Sequence, residues 1–465
     1  MNVKCSGTTT YKENGSFMTE SHRPDQRIAV IGLGYVGLTL ATVMAEVGYD
    51  VTGVEARQDV ADLTNTGQPH FAESGLSASL SGVVGANKLK ATTTLDRTDP
   101  FDVYFITVGT PLDSDGIARL DMIERASTQV ASHMGDGALV VLRSTVKIGT
   151  CTSIVRPILA ASGKRFDLAM CPERTLEGRA LEELRELPQI VGAESHKARD
   201  RAASLFGKLT NTIVRVSSLE TAEIIKLVDN TSRDVQFAFA NEVARVCEAF
   251  GVNAMEVISS GKLGYKRTNL PVPGLVGGPC LEKDPHILMQ SLKLAGLDLE
   301  VTRASRTVNE RQPRETVGFI ATEINKRSFG DAFKVAVLGL AFKGVPATDD
   351  LRGSMSLKVL EALETFVAAK SISLFDPVIS HRVLSQHVRG EYAYPSSIHE
   401  AVEGATVVII ANNHPHLAEM KPAEMLRRMA PNGFIYDYWN HFSSLSASEL
   451  GGSYFAVGNI KRVLA

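Results

Sequence analysis

The chain has 465 residues, enough for two or three domains, and its 44% hydrophobic and 22% charged residues are the balance of an ordinary globular protein in water. Its 49 basic and 52 acidic side chains leave a formal net charge of -3, so no general attraction draws it to nucleic acid or an anionic membrane, and any phosphate must be held locally. Cys5, Cys151, Cys171, Cys247 and Cys280 fall at no zinc or disulfide spacing, which fits a reducing cytoplasm and gives no metal site to expect.

Residues 1–26 are polar, lack the apolar run of a secretory signal and read as a disordered extension, with Met18 as an alternative start to Met1. At Arg27-Ile28-Ala29-Val30-Ile31-Gly32 the pattern becomes that of a buried parallel strand entering a tight turn. A helix follows through Leu38 to Ala45, Gly48 ends it, and Val51-Thr52-Gly53-Val54-Glu55 is the next strand. Apolar runs at 103–108, 138–142 and 166–170, spaced by helix-length segments, continue a doubly wound alternation.

From Leu219 to Phe250 the spacing lengthens to a helical period, predicting one long helix with Ile224, Ile225, Val228, Phe237, Phe239, Val243 and Val246 available for burial. More helix runs to about Lys326. Lys334 to Gly344 then starts a second alternating unit, with strands at 371–375, 406–411 and 433–436. Its turn, Gly339 to Gly344, echoes the first but puts Ala341 where a pyrophosphate would approach the backbone, so this unit should keep the fold and bind something other than a dinucleotide. The expected class is α/β: two Rossmann-like doubly wound parallel-sheet domains, 27–215 and 327–465, joined by a helical central domain, 216–326.

The first turn, Gly32-Leu33-Gly34-Tyr35-Val36-Gly37, has a strand before it and a helix after it, the context in which glycines admit a pyrophosphate to a helix N-terminus. Alone it would be a weak signal. Glu55 ends the next strand, where a carboxylate can bind both adenosine ribose hydroxyls and repel a 2′-phosphate; NAD is expected over NADP, although Arg57 is near.

On the long helix Lys226 and Asn230 share a face and can together hold one oxyanion. By itself Lys226 would be a solvated lysine and Cys280 a small core residue. Cys280, however, follows Gly277-Gly278-Pro279 and precedes Lys283-Asp284, and an ammonium nearby would lower its thiol pKa and make it a nucleophile. Asp284 is a candidate base. Glu173, in Cys171-Pro172-Glu173-Arg174-Thr175-Leu176-Glu177-Gly178-Arg179, follows a predicted strand at the edge where open sheets bind ligands and can activate water. A nicotinamide site with a thiol nucleophile would oxidise an alcohol beyond the aldehyde.

With Val108-Gly109-Thr110-Pro111-Leu112, Ser144-Thr145-Val146, Phe342-Lys343 and Asp349-Asp350-Leu351-Arg352-Gly353-Ser354, these motifs resemble the UDP-glucose/GDP-mannose dehydrogenase family from about Arg27 to Asn440. The resemblance implies four-electron oxidation of the C6 hydroxymethyl of a nucleotide sugar by two NAD, through a thiohemiacetal and thioester on Cys280. It further implies that Lys226 and Asn230 stabilise the oxygen, while Glu173 and Asp284 handle water and protons. Thr110, Thr145, Glu177, Lys283 and Arg352 are then expected at the cofactor, beside Gly32, Gly34, Tyr35, Val36, Gly37 and Glu55. Glu177, Lys226, Lys343, Gly274 and Gly277, the last two in the 273–278 loop, are expected at the sugar nucleotide, with Arg267 reaching a neighbouring subunit's site in a homodimer or larger homo-oligomer.

Glu55 in place of a common Asp, and Pro279, Glu282 and Gly353, depart from the family's pattern without removing a reacting group. Pro172-Glu173-Arg174 resembles members acting on UDP-linked 2-acetamido sugars, while Lys283-Asp284 resembles the glucose and mannose types. The expected substrate is a UDP-N-acetylhexosamine, with UDP-glucose and GDP-mannose open. A two-electron dehydrogenase of the 3-hydroxyacid or 6-phosphogluconate kind, or an inactive NAD-binding protein, would need neither Cys280 nor a second α/β lobe.

Overall fold

In a computed structural model the described residues are 27–459 apart from 96–98, 294–295, 328, 330–332 and 446–452. The expected extension at 1–26 and Cys5 lie outside them. The breaker-free apolar runs become strands: β1 (Arg27–Ile31), β2 (Asp50–Val54), β3 (Leu89–Thr92), β4 (Val103–Ile106), β5 (Ala138–Leu142), β6 (Phe166–Met170), β7 (Gln189–Ala193) and β8 (Ile213–Arg215). They form one sheet in the order β3-β2-β1-β4-β5-β6-β7-β8. Because β1 pairs in parallel with both β2 and β4, the chain direction of winding reverses at β1, and the turn after Ile31 opens into the crevice where such sheets bind ligands.

One pairing departs from the all-parallel expectation: β7 runs antiparallel to β6, with Met170 opposite Gly192. The connection carries only the short helix Ala180–Glu186.

The second unit holds β9 (Val335–Leu338), β10 (Ile372–Phe375), β11 (Val407–Ile410), β12 (Phe434–Asp437) and β13 (Tyr454–Ala456), ordered β10-β9-β11-β12-β13 and parallel throughout. Aliphatic side chains on both faces of each sheet make its core.

Between the sheets, the Leu219–Phe250 helix starts where Ser218 accepts from the N–H of Thr221 at 3.1 Å and stops at Gly251, whose φ is 67°. Its length is as expected; its orientation is not. The buried face carries Ala222, Lys226, Leu227, Asn230, Asp234, Asn241 and Ala244, while Ile224, Val228, Phe239 and Val246 are exposed, the last two at 55% and 58%. The polar stripe is buried because helices Asp284–Lys293 and Glu300–Lys326 pack on it with matching hydrogen-bond partners. No helix among the described residues is long and apolar enough to cross a membrane.

Candidate active site

Four loops converge at the junction of the two lobes: the turn after β1, the segment after β6, the loop before Asp284 and the segment after β9. In the first, Gly34 begins the Tyr35–Glu46 helix with no side-chain cap, and a Cβ on it would project into open space. That is the cradle a pyrophosphate needs, with the helix's first N–H groups free to face it. Gly37 packs against the backbone of Gly32, Val36 is half-buried in the same turn, and the Leu33 N–H donates to Glu55 at 2.9 Å. Arg57 is drawn aside by Asp59 at 2.5 Å, so the nearby cation that would favour a 2′-phosphate is already paired. These residues fit NAD. Among the described residues no cluster of His, Cys, Asp or Glu is placed to hold a metal ion.

The Tyr35 hydroxyl donates to Asp349 at 2.9 Å, its ring stacks on Phe71, and the Arg352 guanidinium lies 4.7 Å over it. Arg352 also bonds Asp350 at 2.7 Å and Glu177 at 3.3 Å. The second lobe thus closes on the dinucleotide turn through side chains that sequence reasoning had assigned singly. Lys343 reaches the same place, donating to the Glu177 carbonyl at 2.5 Å. Burial, then Asp350, push the Glu177 carboxyl up to about 8 against the opposing pull of Arg352 and Lys343.

Around the thiol the geometry is a hydrogen-bonded row. Asn230 donates to Asp284 at 2.5 Å, Lys283 bonds the other oxygen of Asp284 at 3.0 Å and the Thr110 hydroxyl at 3.3 Å, and Thr110 donates to the Thr145 carbonyl at 2.6 Å. Asp284 is fully buried with both oxygens engaged, an arrangement that orients Asn230 and Lys283 more than it offers a free base. Lys226, Asp284, Lys283 and Glu177 are all near enough to act on the charge of Cys280, which is half-buried while Cys151, Cys171 and Cys247 are buried. The expected depression of its thiol is corrected here: burial pushes the Cys280 thiol up, and Lys226 only partly offsets it.

Gly278 has φ 88° and donates its N–H to Gly353 at 2.7 Å, and a Cβ there would strike the Phe342 ring. The glycine pair therefore lets the cysteine loop dock on the second lobe. Gly277 abuts the same segment, and Gly274 exchanges two hydrogen bonds with Asn241.

Glu173 is buried, ionised and fixed. Arg143, 1% exposed and unanticipated from the sequence, bonds its Oε2 at 2.6 and 3.0 Å, while Oε1 accepts from the N–H groups of Arg174 and Thr175. Burial opposes the charge, but Arg143 and these donors outweigh it and hold Glu173 below the usual carboxylate range. A signal for Arg143 existed: it directly follows an apolar strand and precedes Ser144-Thr145. Arg267 is exposed, its guanidinium 4.7 Å over Tyr265, and the structure does not bring it to this cluster.

Such a site, with a dinucleotide cradle, a half-buried thiol, an ammonium and an amide on one face, can pass hydride and hold an acyl group. Comparison with known proteins agrees. The NAD-binding, central and UDP-binding domains of the UDP-glucose/GDP-mannose dehydrogenase family match residues 26–210, 220–311 and 336–444. The UDP-N-acetyl-D-mannosamine dehydrogenase of Pyrococcus horikoshii is 36% identical over 395 residues, 84% of this chain and 90% of that one. The enzyme of the same name from Campylobacter jejuni is 32% identical, over 85% of this chain and 97% of its own. A solved structure of the Pyrococcus horikoshii UDP-D-ManNAc dehydrogenase superposes with a TM-score of 0.84 at 34% identity, covering 94% of this chain and all of that one.

Proposed function

Because the chain belongs to the UDP-glucose/GDP-mannose dehydrogenase family, we propose that it oxidises the C6 hydroxymethyl of a UDP-N-acetylhexosamine, of the N-acetylmannosamine type, to the carboxylate with two NAD. The observation that carries this reading is the half-buried Cys280, on a loop docked to the second lobe through Gly278 and Gly353, with Lys226, Asp284 and Glu177 near enough to act on its charge. NAD, when bound, accepts a hydride in each of two oxidations. Overall, alcohol, two NAD+ and water become carboxylate, two NADH and three protons.

Lys226 and Asn230 hold the C6 oxygen while C6 gives up a hydride and the hydroxyl proton passes to solvent through a water ordered by Glu173. The Cys280 thiol adds to the aldehyde carbon, forming a C–S bond as its proton passes to the carbonyl oxygen. Burial keeps this thiol protonated, and Glu177, which also holds its proton at neutral pH, gives that proton to the carbonyl oxygen and takes the thiol's in exchange. Removal of the second hydride leaves a thioester on Cys280. Glu173, held ionised by Arg143, aligns the water that breaks the C–S bond, releasing carboxylate and restoring the thiol. Asp284 keeps Asn230 and Lys283 in place. Lys343, Gly274 and Gly277 line the sugar-nucleotide side, and Gly32, Tyr35, Val36, Gly37, Glu55, Thr110, Thr145, Lys283 and Arg352 the NAD side.

The exposed apolar face of the long helix, Phe239 and Val246 above all, is what a second copy of the chain would cover, and Arg267 would then reach the partner's sugar site. A panel of UDP-N-acetylmannosamine, UDP-N-acetylglucosamine, UDP-glucose and GDP-mannose scored by NADH release tests the substrate. Highest kcat/KM on the first supports the reading; turnover of GDP-mannose alone refutes it.

A further inference from the structure

The cysteine loop docks on the second lobe through glycines, which bring no side chain of their own to fix the nucleophile. Beneath it lies a polar network in which no member touches a reacting group. Arg306 is 2% exposed and Asp234 fully buried; Arg306 Nη1 donates to Asp234 at 2.7 Å and to the Leu281 carbonyl, one residue past Cys280, at 3.1 Å. The other guanidinium nitrogens bond Glu310 at 3.1 and 3.0 Å. Asn309 donates to the Asp234 carboxylate at 2.9 Å and accepts from Asn241 at 3.1 Å, and Asn241 completes the row by exchanging hydrogen bonds of 2.8 and 3.1 Å with Gly274. One unbroken chain of contacts, rooted in helices Leu219–Phe250 and Glu300–Lys326, therefore grips the cysteine loop on both sides of Cys280.

Burial of a guanidinium and a carboxylate is costly unless each is fully engaged, and here every Arg306 nitrogen is. Asp234 Oδ2 is buried without a partner, so the carboxylate depends on Arg306 and Asn309 acting through its other oxygen. An apolar pair would fill this core without that cost. What requires a guanidinium is holding Asp234, the Leu281 carbonyl and Glu310 at once.

We propose that Arg306 and Asp234, with Asn309 and Asn241, are positioning residues that set the Cys280 sulfur for capture of the aldehyde. This rests on the functional reading above. The first oxidation needs no sulfur and the second does, so a displaced thiol leaves the first step intact and lets the aldehyde go. A misplacement of about 1 Å is enough to slow an addition by about 100-fold.

The test uses the full-length protein with Arg306→Lys, which retains a cation for Asp234 but cannot also hold Leu281 and Glu310. A second variant, Arg306→Met with Asp234→Leu, keeps the core filled and neutral should the first fail to fold. For both, the KM values for NAD and sugar nucleotide should stay within about threefold of wild type. NADH per sugar consumed should fall from two towards one, with free aldehyde trapped by hydroxylamine. Alkylation of Cys280 by iodoacetamide, followed by mass spectrometry across pH 6 to 10, should change in rate by about tenfold or more. Loss of activity with two NADH per sugar and unchanged alkylation of the folded protein would mark a merely structural network and overturn the proposal. If the wild-type protein itself gives one NADH per sugar, it is the functional reading that fails, and the alkylation rates alone then decide for or against the brace.

Discussion

Replacing Glu177 with glutamine should remove part of the fall in stability that the ligand-free protein undergoes as pH rises. The Glu177 side chain is 19% exposed, its Oε2 is buried without a partner, and burial, then Asp350, push its carboxyl up to about 8 from an ordinary value of 4.5. Between those values the native state keeps a proton that the unfolded chain has lost, so stability declines as pH rises through the window and levels off above about 8. At about 1.4 kcal/mol per pH unit, the effect is bounded at about 5 kcal/mol. Glutamine matches the protonated acid in shape and carries no proton to lose. Urea unfolding of both proteins at fixed ionic strength from pH 5.5 to 9 measures the difference: about 1.4 kcal/mol at the acid end, growing in favour of Glu177→Gln towards pH 9. Superimposable pH profiles would refute the reasoning.

Arg143→Met should destabilise the protein by about 3–5 kcal/mol, because it strands the Glu173 carboxylate in the core, and adding Glu173→Gln should recover much of the loss; chemical denaturation of both variants checks this. Cys280→Ser should abolish acid formation while calorimetric NAD affinity stays unchanged, since thiol and cradle are separate; undiminished acid would reject the covalent role. Gly34→Val should weaken NAD binding by at least about tenfold without altering thermal stability, as its side chain enters only the space kept for pyrophosphate. Phe239→Asp should lower the sedimentation mass to that of one chain if a second copy covers that face, and no change in mass would exclude this surface as the interface.

Local signals were legible wherever one segment carries its own instruction. The Leu219–Phe250 helix begins and ends at the expected residues because Ser218 and Gly251 supply its caps, and most strands overlap the expected apolar runs, although the buried Gln189–Ala193 strand was not anticipated. Short strands such as Leu89–Thr92 and Ile213–Arg215 escaped notice: they are partly exposed and owe their extended form to a neighbour. The long helix also hid its orientation, since hydrophobic period alone favoured burying Val228 and Phe239 over Asn230 and Asp234. What inverted that face was pairing with Asp284, Arg306 and Asn309, residues far away in sequence. Arg306 was invisible for the same reason, since a buried cation is recognised by its partner and the partner comes from another segment, whereas Arg143 carried only the weaker signal of its place directly after an apolar strand. Cys280 was found by its motif, but the sign of its shift depended on the depth at which the loop docks.

On the proposed reading one site performs both oxidations and keeps the carbon attached to the protein between them. With the best nucleotide sugar of the panel limiting and NAD in excess, NADH is counted against sugar consumed at completion. Two NADH for each sugar and an acid product are expected; one NADH for each sugar, with a carbonyl compound as the end product, would contradict the proposed function.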